Sequence, residues 1–177
     1  MLSREGASGF TTRKVAESAD TSTPAVYELF GDKAGLVREM FIEGFRLLES
    51  RFERLEETDD PRADVAAVID EYRAFVRDNP ALAELMFSRR FADFDPGPSG
   101  AAAGTAVRHF IVGRVQRCLE RGLIEGDVTD IAHVLLSSAQ GLAATERAGW
   151  LGTSNASMDR RWALAVRALL DGLAPRR

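Results

Sequence analysis

Apolar residues recur every three or four positions along almost the whole chain, which is the spacing of one face of an α-helix. No long segment shows the strict alternation of a half-buried strand, so the pattern predicts an all-α protein. The longest apolar stripe begins after Lys33 and predicts a helix of about six turns. Its members are Leu36, Val37, Met40, Phe41, Phe45, Leu48, Phe52 and Leu55.

Breaks in the pattern divide the rest of the chain. The acidic segment 56–60 and Pro61 end the long helix, and Asn79-Pro80 separates the next two, because the residue before a proline is excluded from the α region. Asp95–Gly100 holds two prolines and two glycines and predicts a mobile loop. The remaining stripes predict helices over about 65–78, 81–91, 107–121, 131–146 and 158–173.

Two short helices precede the long one. The first begins at the hydroxyls of Thr11 and Thr12 and ends at the polar segment 20–22. Ser22 can cap the second helix, and Pro24 lies in its first turn, where the missing N–H removes no hydrogen bond. Two short helices joined by a tight turn form a helix-turn-helix unit, whose second helix enters the major groove of DNA.

The segment from Thr12 to Leu36 resembles the TetR family of transcriptional regulators. The family's threonine, its aliphatic-alanine pair, its tyrosine and phenylalanine three apart, and its lysine and leucine all recur in order. They stand here as Thr12, Val15, Ala16, Tyr27, Phe30, Lys33 and Leu36. The resemblance implies a helix-turn-helix DNA-binding region over 1–45 and a larger helical bundle over 46–177 that binds a ligand and dimerises.

The resemblance also implies which residues contact a double-stranded DNA operator. Thr12 and Arg13 would contact phosphate or groove, while Tyr27 and Lys33 would hold the backbone. The small residues at the start of the second helix would face base edges. They are Ser22, Thr23, Pro24 and Ala25. The alternative is that Tyr27 and Phe30 are only the core of a helical hairpin.

The chain departs from the family pattern in two places. Asp20 replaces the turn glycine, although aspartate is among the few residues that tolerate a left-handed conformation. Family members carry a whole helix before the corner that reads Arg4–Phe10 here, and three residues precede Arg4. We therefore expect that this first helix is missing and that Val15, Val26 and Phe30 are poorly covered.

Charge and composition narrow the class of protein. The net charge of the 177 residues is −4, and the segment from Arg4 to Glu43 contains five basic and seven acidic side chains. The sequence therefore predicts no uniformly basic surface for binding DNA. No run approaches the roughly 18 apolar residues of a membrane span, and the N-terminus lacks the apolar run of a signal peptide. The sequence thus predicts a cytoplasmic protein without a membrane partner.

The sequence contains no motif that predicts catalysis, a metal or a cofactor. Nucleophile-elbow, phosphate-loop and dinucleotide glycine patterns are absent from it. His109 and His133 lack carboxylates at ligand spacing, so ordinary core or surface histidines are favoured over zinc ligands. Cys118 lies on an apolar stripe, which favours a buried inert thiol over a redox sensor.

Aromatic residues near the Pro-Gly segment predict an effector pocket. Aromatic walls with sparse hydrogen-bonding groups suit a neutral, mostly apolar small molecule. The predicted lining is Met86, Phe87, Phe91, Phe94, His109, Phe110, Gln116 and Gln140. The alternative for each residue is ordinary core.

The last two helices predict a homodimer. Apolar residues on more than one side of each helix require a second partner, which a two-fold four-helix interface supplies. They are Trp162, Ala165, Val166, Leu169, Leu170 and Leu173 on the last helix, and Ile131, Val134, Leu135, Ala139 and Leu142 beside small residues on the one before it. The alternative is that they complete the core of one subunit.

Together these features predict a dimeric repressor that a small molecule releases from DNA. The ligand would favour a dimer in which the two helix-turn-helix regions are no longer spaced to match adjacent major grooves, which lie about 34 to 36 Å apart. The alternative is a helical homodimer that binds a ligand or partner and has lost DNA binding. An enzyme is a distant third possibility.

Overall fold

The computed structural model of the protein describes residues 12–87 and 95–175. These residues form eight α-helices, which confirms the all-α prediction. The helices are α1 Thr12–Ser18, α2 Thr23–Phe30, α3 Lys33–Glu53, α4 Pro61–Asp78, α5 Pro80–Phe87, α6 Gly97–Glu120, α7 Val128–Arg147 and α8 Asn155–Gly172. None of these helices is long and apolar enough to cross a membrane.

Side chains cap the helix starts. Ser22 caps α2 by accepting the N–H of Ala25 at 3.3 Å, and Pro24 occupies the first turn of that helix, which confirms both expectations. Asp127 caps α7 by accepting two backbone N–H groups. Ser154 and Ser157 form a reciprocal capping box on α8. These caps satisfy amides that have no partner inside the helix, so they fix where each helix begins.

The predicted loop over Asp95–Gly100 is wrong, because α6 begins at Gly97. Pro98 lies in the first turn, where a missing N–H removes no hydrogen bond of the helix. Asp95 Oδ1 accepts the N–H of Gly97 at 2.9 Å and so satisfies one amide at this end. The proline and glycine content that indicated a loop therefore belongs to a helix start. The end predicted for the preceding helix, at Phe91, lies outside the described residues.

The chain divides into two compact units. The described part of the head unit comprises residues 12–50, 75–87 and 95–106, and that of the body unit comprises 51–74 and 107–175. Helices α3, α4 and α6 contribute residues to both units.

The core of the head unit combines the helix-turn-helix with α3 and α5. Its buried members are Ala16, Val26, Leu36, Val37 and Leu85. The expectation of poor cover is wrong for Val26, which is 3% exposed in a cluster that includes a leucine of α5. Val15 and Phe30 are half-buried against the same cluster.

Two groups of polar contacts fasten the body unit. Trp162 of α8 donates its indole N–H to Asp70 of α4 at 2.7 Å. Arg73, also on α4, lies over the Trp162 ring and pairs with Glu146 of α7 at 2.7 Å. These contacts join α4 to both α7 and α8. Arg73 and Glu146 are largely buried, so each needs the other as its partner. This requirement favours one register of the three helices.

The second group, which we call the α6 clamp, consists of Thr58, Asp64, Arg114 and Arg117. Arg114 donates to the backbone carbonyls of Leu55 and Glu56. Arg117 donates to the Asp64 carboxylate and to the carbonyl of Thr58. The clamp thus ties α6 to the connection between α3 and α4.

Candidate functional site

The turn between α1 and α2 has the conformation that the sequence required of it. Asp20 adopts a positive φ of 50°, the left-handed conformation expected for the residue in place of the turn glycine. The N–H of Thr21 then returns to the carbonyl of Ala16 at 2.9 Å. Ala16 and Val26 share the head core, so α1 and α2 pack together as a helix-turn-helix pair.

Two residues predicted to contact DNA are joined to each other. The hydroxyl of Tyr27 donates to Thr12 Oγ1 at 3.4 Å. Thr12 is buried, whereas Tyr27 is 43% exposed. Thr12 therefore orients the tyrosine from beneath. Arg13 is exposed and forms a 2.9 Å ion pair with Glu17 one turn along α1.

The residues predicted to face base edges differ in exposure. Ser22 is exposed, but its hydroxyl already accepts the N–H of Ala25. Thr23 and Ala25 are half-buried, and Pro24 is exposed. Sequence reasoning passed over two more exposed residues of α2, Glu28 and Leu29, the latter 76% exposed.

The start of α3 combines an acid cap with a cation. Asp32 Oδ1 accepts the N–H of Gly35 at 2.7 Å, as expected of a cap, and Lys33 next to it is exposed. A Cβ atom on Gly35 would lie 2.0 Å from the carbonyl oxygen of Phe30, the last residue of α2. The angle between α2 and α3 therefore requires glycine at this position.

Two family models match the chain over this architecture. The model for bacterial regulatory proteins of the tetR family matches residues 1–40. The model described as the tetracyclin repressor-like C-terminal domain matches residues 65–169, more than half of the chain. The chain belongs to the TetR family. It is therefore a DNA-binding transcriptional regulator, and TetR regulators are not enzymes.

Solved structures share this fold over almost the full chain. A protein of unknown function from Rhodococcus sp. RHA1 is 27% identical, with a TM-score of 0.82, over 98% of this chain and 90% of that one. PfmR, a TetR regulator from Thermus thermophilus, is 16% identical, with a TM-score of 0.71, over 96% and 91%. A tetR-family regulatory protein from Rhodococcus RHA1 is 19% identical, with a TM-score of 0.68, over 96% and 89%. A comparison with curated proteins finds no match.

The residues predicted to line an effector pocket are distributed over both units of this TetR regulator. In the head unit, Met86 is buried close to Gly44, and the ring of Phe87 meets Phe45 edge-on at 5.7 Å. In the body unit, Phe110 packs on Phe52 with ring centroids 5.5 Å apart.

The polar members of the predicted pocket lie in the body unit. His109 and Gln116 are exposed, and Gln116 donates to Glu120. Gln140 is half-buried. Phe91 and Phe94 lie outside the described residues.

The body unit contains a small, partly open cavity that sequence reasoning missed. Its volume is about 20 Å³, which is near the minimum that admits one water molecule. The lining is Phe52, Val65, Val68, Ile69, Tyr72, Ile111, Arg114, Leu135, Leu136 and Ala139. None of the predicted pocket residues belongs to it, although Phe110 and Gln140 are chain neighbours of Ile111 and Ala139. Burial raises the pKa of Tyr72, so its phenol stays protonated as a donor.

The last helix has two distinct apolar faces. Trp162, Val166 and Leu170 are buried within the subunit. Ala165 and Leu169 lie on the other face. That face lines an open groove on the surface of α7 and α8, which we call the α7/α8 groove; its lining is Ser138, Leu142, Ala165, Ala168, Leu169, Gly172 and Leu173. The alternative that these helices only complete the subunit core thus applies to one face, whereas Ala165 and Leu169 on the other face are only half-buried within the subunit.

Cys118 and the histidines stand apart from these sites. Cys118 is fully buried, as predicted for an inert thiol, and burial raises its pKa. His133 is exposed, with Nδ1 2.8 Å from the carbonyl oxygen of Thr129. In the described part of the chain, no group of three or more metal-ligating side chains comes together.

Proposed function

We propose that this TetR regulator is a homodimeric repressor that a small, mostly apolar ligand releases from its operator. Residues 1–45 would bind DNA, and residues 46–177 would bind the ligand and dimerise. The observation that carries the DNA-binding part is the exposed surface of α2, which is held by a helix-turn-helix core and followed by Lys33.

On this proposal, Tyr27 and Lys33 hold the DNA backbone. Both are exposed, and a tyrosine hydroxyl and a lysine ammonium are ordinary phosphate ligands. Arg13, exposed on α1, would reach a phosphate after leaving Glu17, since an exposed ion pair of this kind contributes little to stability. Thr12 would orient Tyr27 by donating its own hydroxyl to the tyrosine oxygen, which leaves the tyrosine proton for the phosphate, and residues 22–25 would face base edges.

The occupant that we propose for the α7/α8 groove is a second copy of the chain. Its lining is almost wholly apolar or small, and small side chains let helices approach closely. A two-fold pairing of α7 and α8 would bury the same groove on both subunits. This would place two heads on one DNA duplex.

The proposed effector site is the body cavity, enlarged when the ligand binds. Its walls are apolar, with the Tyr72 hydroxyl and Arg114 as polar groups, which suits a neutral ligand. A space of about 20 Å³ holds no such ligand without movement of its walls. A ligand that binds only the enlarged form shifts the population toward it, and that shift would release DNA. The predicted set around Phe110 is the second candidate, because its ring lies directly against Phe52 of the cavity wall.

The test combines DNA selection with a thermal-shift screen. Purified protein should enrich a palindromic sequence from random DNA duplexes, and hydrophobic compounds that raise its Tm should weaken binding to that sequence. Ala139→Val, which adds two methyl groups at the cavity wall, would occupy the cavity and abolish the Tm shift. Phe110→Ala would abolish it only if the second candidate is correct.

If a folded, ligand-responsive dimer enriches no DNA sequence, the proposal that the protein is a repressor is contradicted. The alternative, a helical homodimer that has lost DNA binding, would then stand. Stabilisation by polyanionic metabolites alone would contradict the apolar ligand.

A further inference from the structure

Glu28 lies on the face of helix α2 that is opposite the head core. The helix turns by about 100° per residue, so Glu28 lies about 200° around the axis from Val26, and Pro24 about 160°. Val26 is 3% exposed in the head core, whereas Glu28 and Pro24 are both exposed. When α2 enters a major groove, these two residues therefore face the floor of the groove.

The carboxylate of Glu28 has no partner among the described residues. Arg13, on the neighbouring helix α1, is paired with Glu17 at 2.9 Å. Asp32, the next acid along the chain, accepts the N–H of Gly35 at 2.7 Å. Glu17 and Asp32 thus both have a structural use within the head unit. Glu28 has no such structural use within the head unit. Its carboxylate oxygens therefore remain available as acceptors on the face of α2 that would approach DNA.

A carboxylate that enters the groove meets a strongly negative surface. Contact with phosphate is repulsive, so the approach is favourable only where the carboxylate accepts a hydrogen bond from a base. Among base edges in the major groove, the exocyclic amino group of cytosine is the donor that glutamate ordinarily accepts from. Guanine and thymine present only acceptors and a methyl group at the corresponding places, so a carboxylate opposite them stays unpaired.

We infer that Glu28 is a specificity-determining residue that reads cytosine in the operator by accepting a hydrogen bond from its N4 amino group. The inference rests on the proposed DNA binding by α2. Pro24, one turn earlier on the same line, has no donor and supplies an apolar contact. Glu28 thus contributes selectivity and opposes binding to other sequences, since its charge is uncompensated on them.

Selection from random DNA duplexes tests this inference with the full chain and three variants. Wild type should fix cytosine at one position of each half-site, about 5- to 150-fold over guanine or thymine, which corresponds to one good base contact. Glu28→Ala should lose the preference at that position and keep all others. Glu28→Gln should shift it toward adenine, which glutamine recognises through N6 and N7.

Glu43→Gln is the matched control for the loss of one negative charge. Glu43 is exposed on α3 and pairs with Arg46 at 3.6 Å, and it lies about ten residues, or roughly 15 Å, along the helix from Lys33. This variant should retain the wild-type sequence preference at every position.

Retention of the wild-type preference by both Glu28 variants, or a change spread evenly over all positions, would overturn the inference. Failure of wild type itself to enrich any sequence would contradict the proposed function instead, so the two failures are distinguishable.

Discussion

Asp64 accepts a hydrogen bond from Arg117 Nη1 at 2.5 Å although the Asp64 side chain is only 3% exposed. Burial by itself would raise the pKa of this carboxyl. The hydroxyl and backbone N–H of Thr58 and the guanidinium of Arg117 outweigh burial and hold the pKa below its usual value. The carboxyl therefore stays ionised in the folded body unit, and the ionised form is what the α6 clamp requires.

Asp64→Asn should destabilise the body unit at pH 7 by about 1 to 3 kcal/mol, because it removes the buried charged acceptor of Arg117 and Thr58 and leaves the two arginines with the exposed Glu57 as their remaining counter-charge. Since the folded pKa lies below the unfolded value, the wild-type contribution is fully present above about pH 4 and is lost as the pH falls through the folded pKa. Urea unfolding at several pH values should show the difference between the two proteins shrinking in acid. Asp59→Asn, at an exposed position, is the control and should change stability little. Equal stability of Asp64→Asn and wild type at pH 7 would contradict the role of the clamp.

Lys33→Ala should weaken binding to every DNA sequence by a similar factor. A phosphate contact is ionic and carries no sequence information, so its loss should also reduce the slope of log affinity against log salt by about one. Fluorescence anisotropy at several salt concentrations measures both effects. Arg46→Ala removes one positive charge further along α3 and serves as control, and an effect equal to that of Lys33→Ala would count against a direct contact.

Leu169→Arg should convert the protein to a folded monomer at micromolar concentration in analytical ultracentrifugation. The arginine would place a charge in the apolar α7/α8 groove without entering the subunit core. Ala163→Arg adds the same group at an exposed position outside the groove and should stay dimeric. Val166→Glu is no test of dimerisation, because Val166 is 6% exposed and the variant would unfold the subunit. If Leu169→Arg still sediments with the mass of a dimer, the dimer interface does not lie in the α7/α8 groove.

Gly35→Ala should distort the junction of α2 and α3 and abolish DNA binding. The added methyl group would overlap the carbonyl oxygen of Phe30, a backbone atom that moves only if one helix moves. Gly113→Ala is the matched control, since an added Cβ there meets nothing within 4 Å, and alanine is favoured over glycine within a helix by about 0.5 to 1 kcal/mol. Circular dichroism should therefore give a lower Tm for the first variant and an unchanged or higher one for the second. Undiminished DNA binding by Gly35→Ala would show that the junction tolerates movement.

The sequence predicted those features that depend on neighbouring residues. The cap at Ser22, the left-handed Asp20 and the buried Cys118 each follow from local chemistry, and the structure confirms them. The start of α6 was missed because Pro98 and Gly100 are helix breakers inside a helix but acceptable in its first turn. Glycine and proline content alone does not distinguish these two positions.

The body cavity could not be predicted because its walls come from segments distant in sequence. Ile69, Ile111 and Leu135 lie on α4, α6 and α7, and each is an ordinary member of an apolar stripe. Phe110 and Gln140 are chain neighbours of the cavity-lining Ile111 and Ala139, but which side of each helix faces the cavity depends on packing. The same limit applies to α8, where Val166 and Leu169 are both apolar and only the structure separates the buried one from the one on the groove.

The burial of Cys118 makes the protein its own reporter of transient opening. The chain has one cysteine, so every thiol signal comes from the last turn of α6, next to Arg117 and about one turn from Arg114. A fully buried thiol with a raised pKa reacts with an alkylating reagent only when its surroundings open. The rate of Cys118 alkylation, monitored by mass spectrometry, would therefore measure how often the body unit opens locally. It would also show whether operator DNA or an effector changes that frequency.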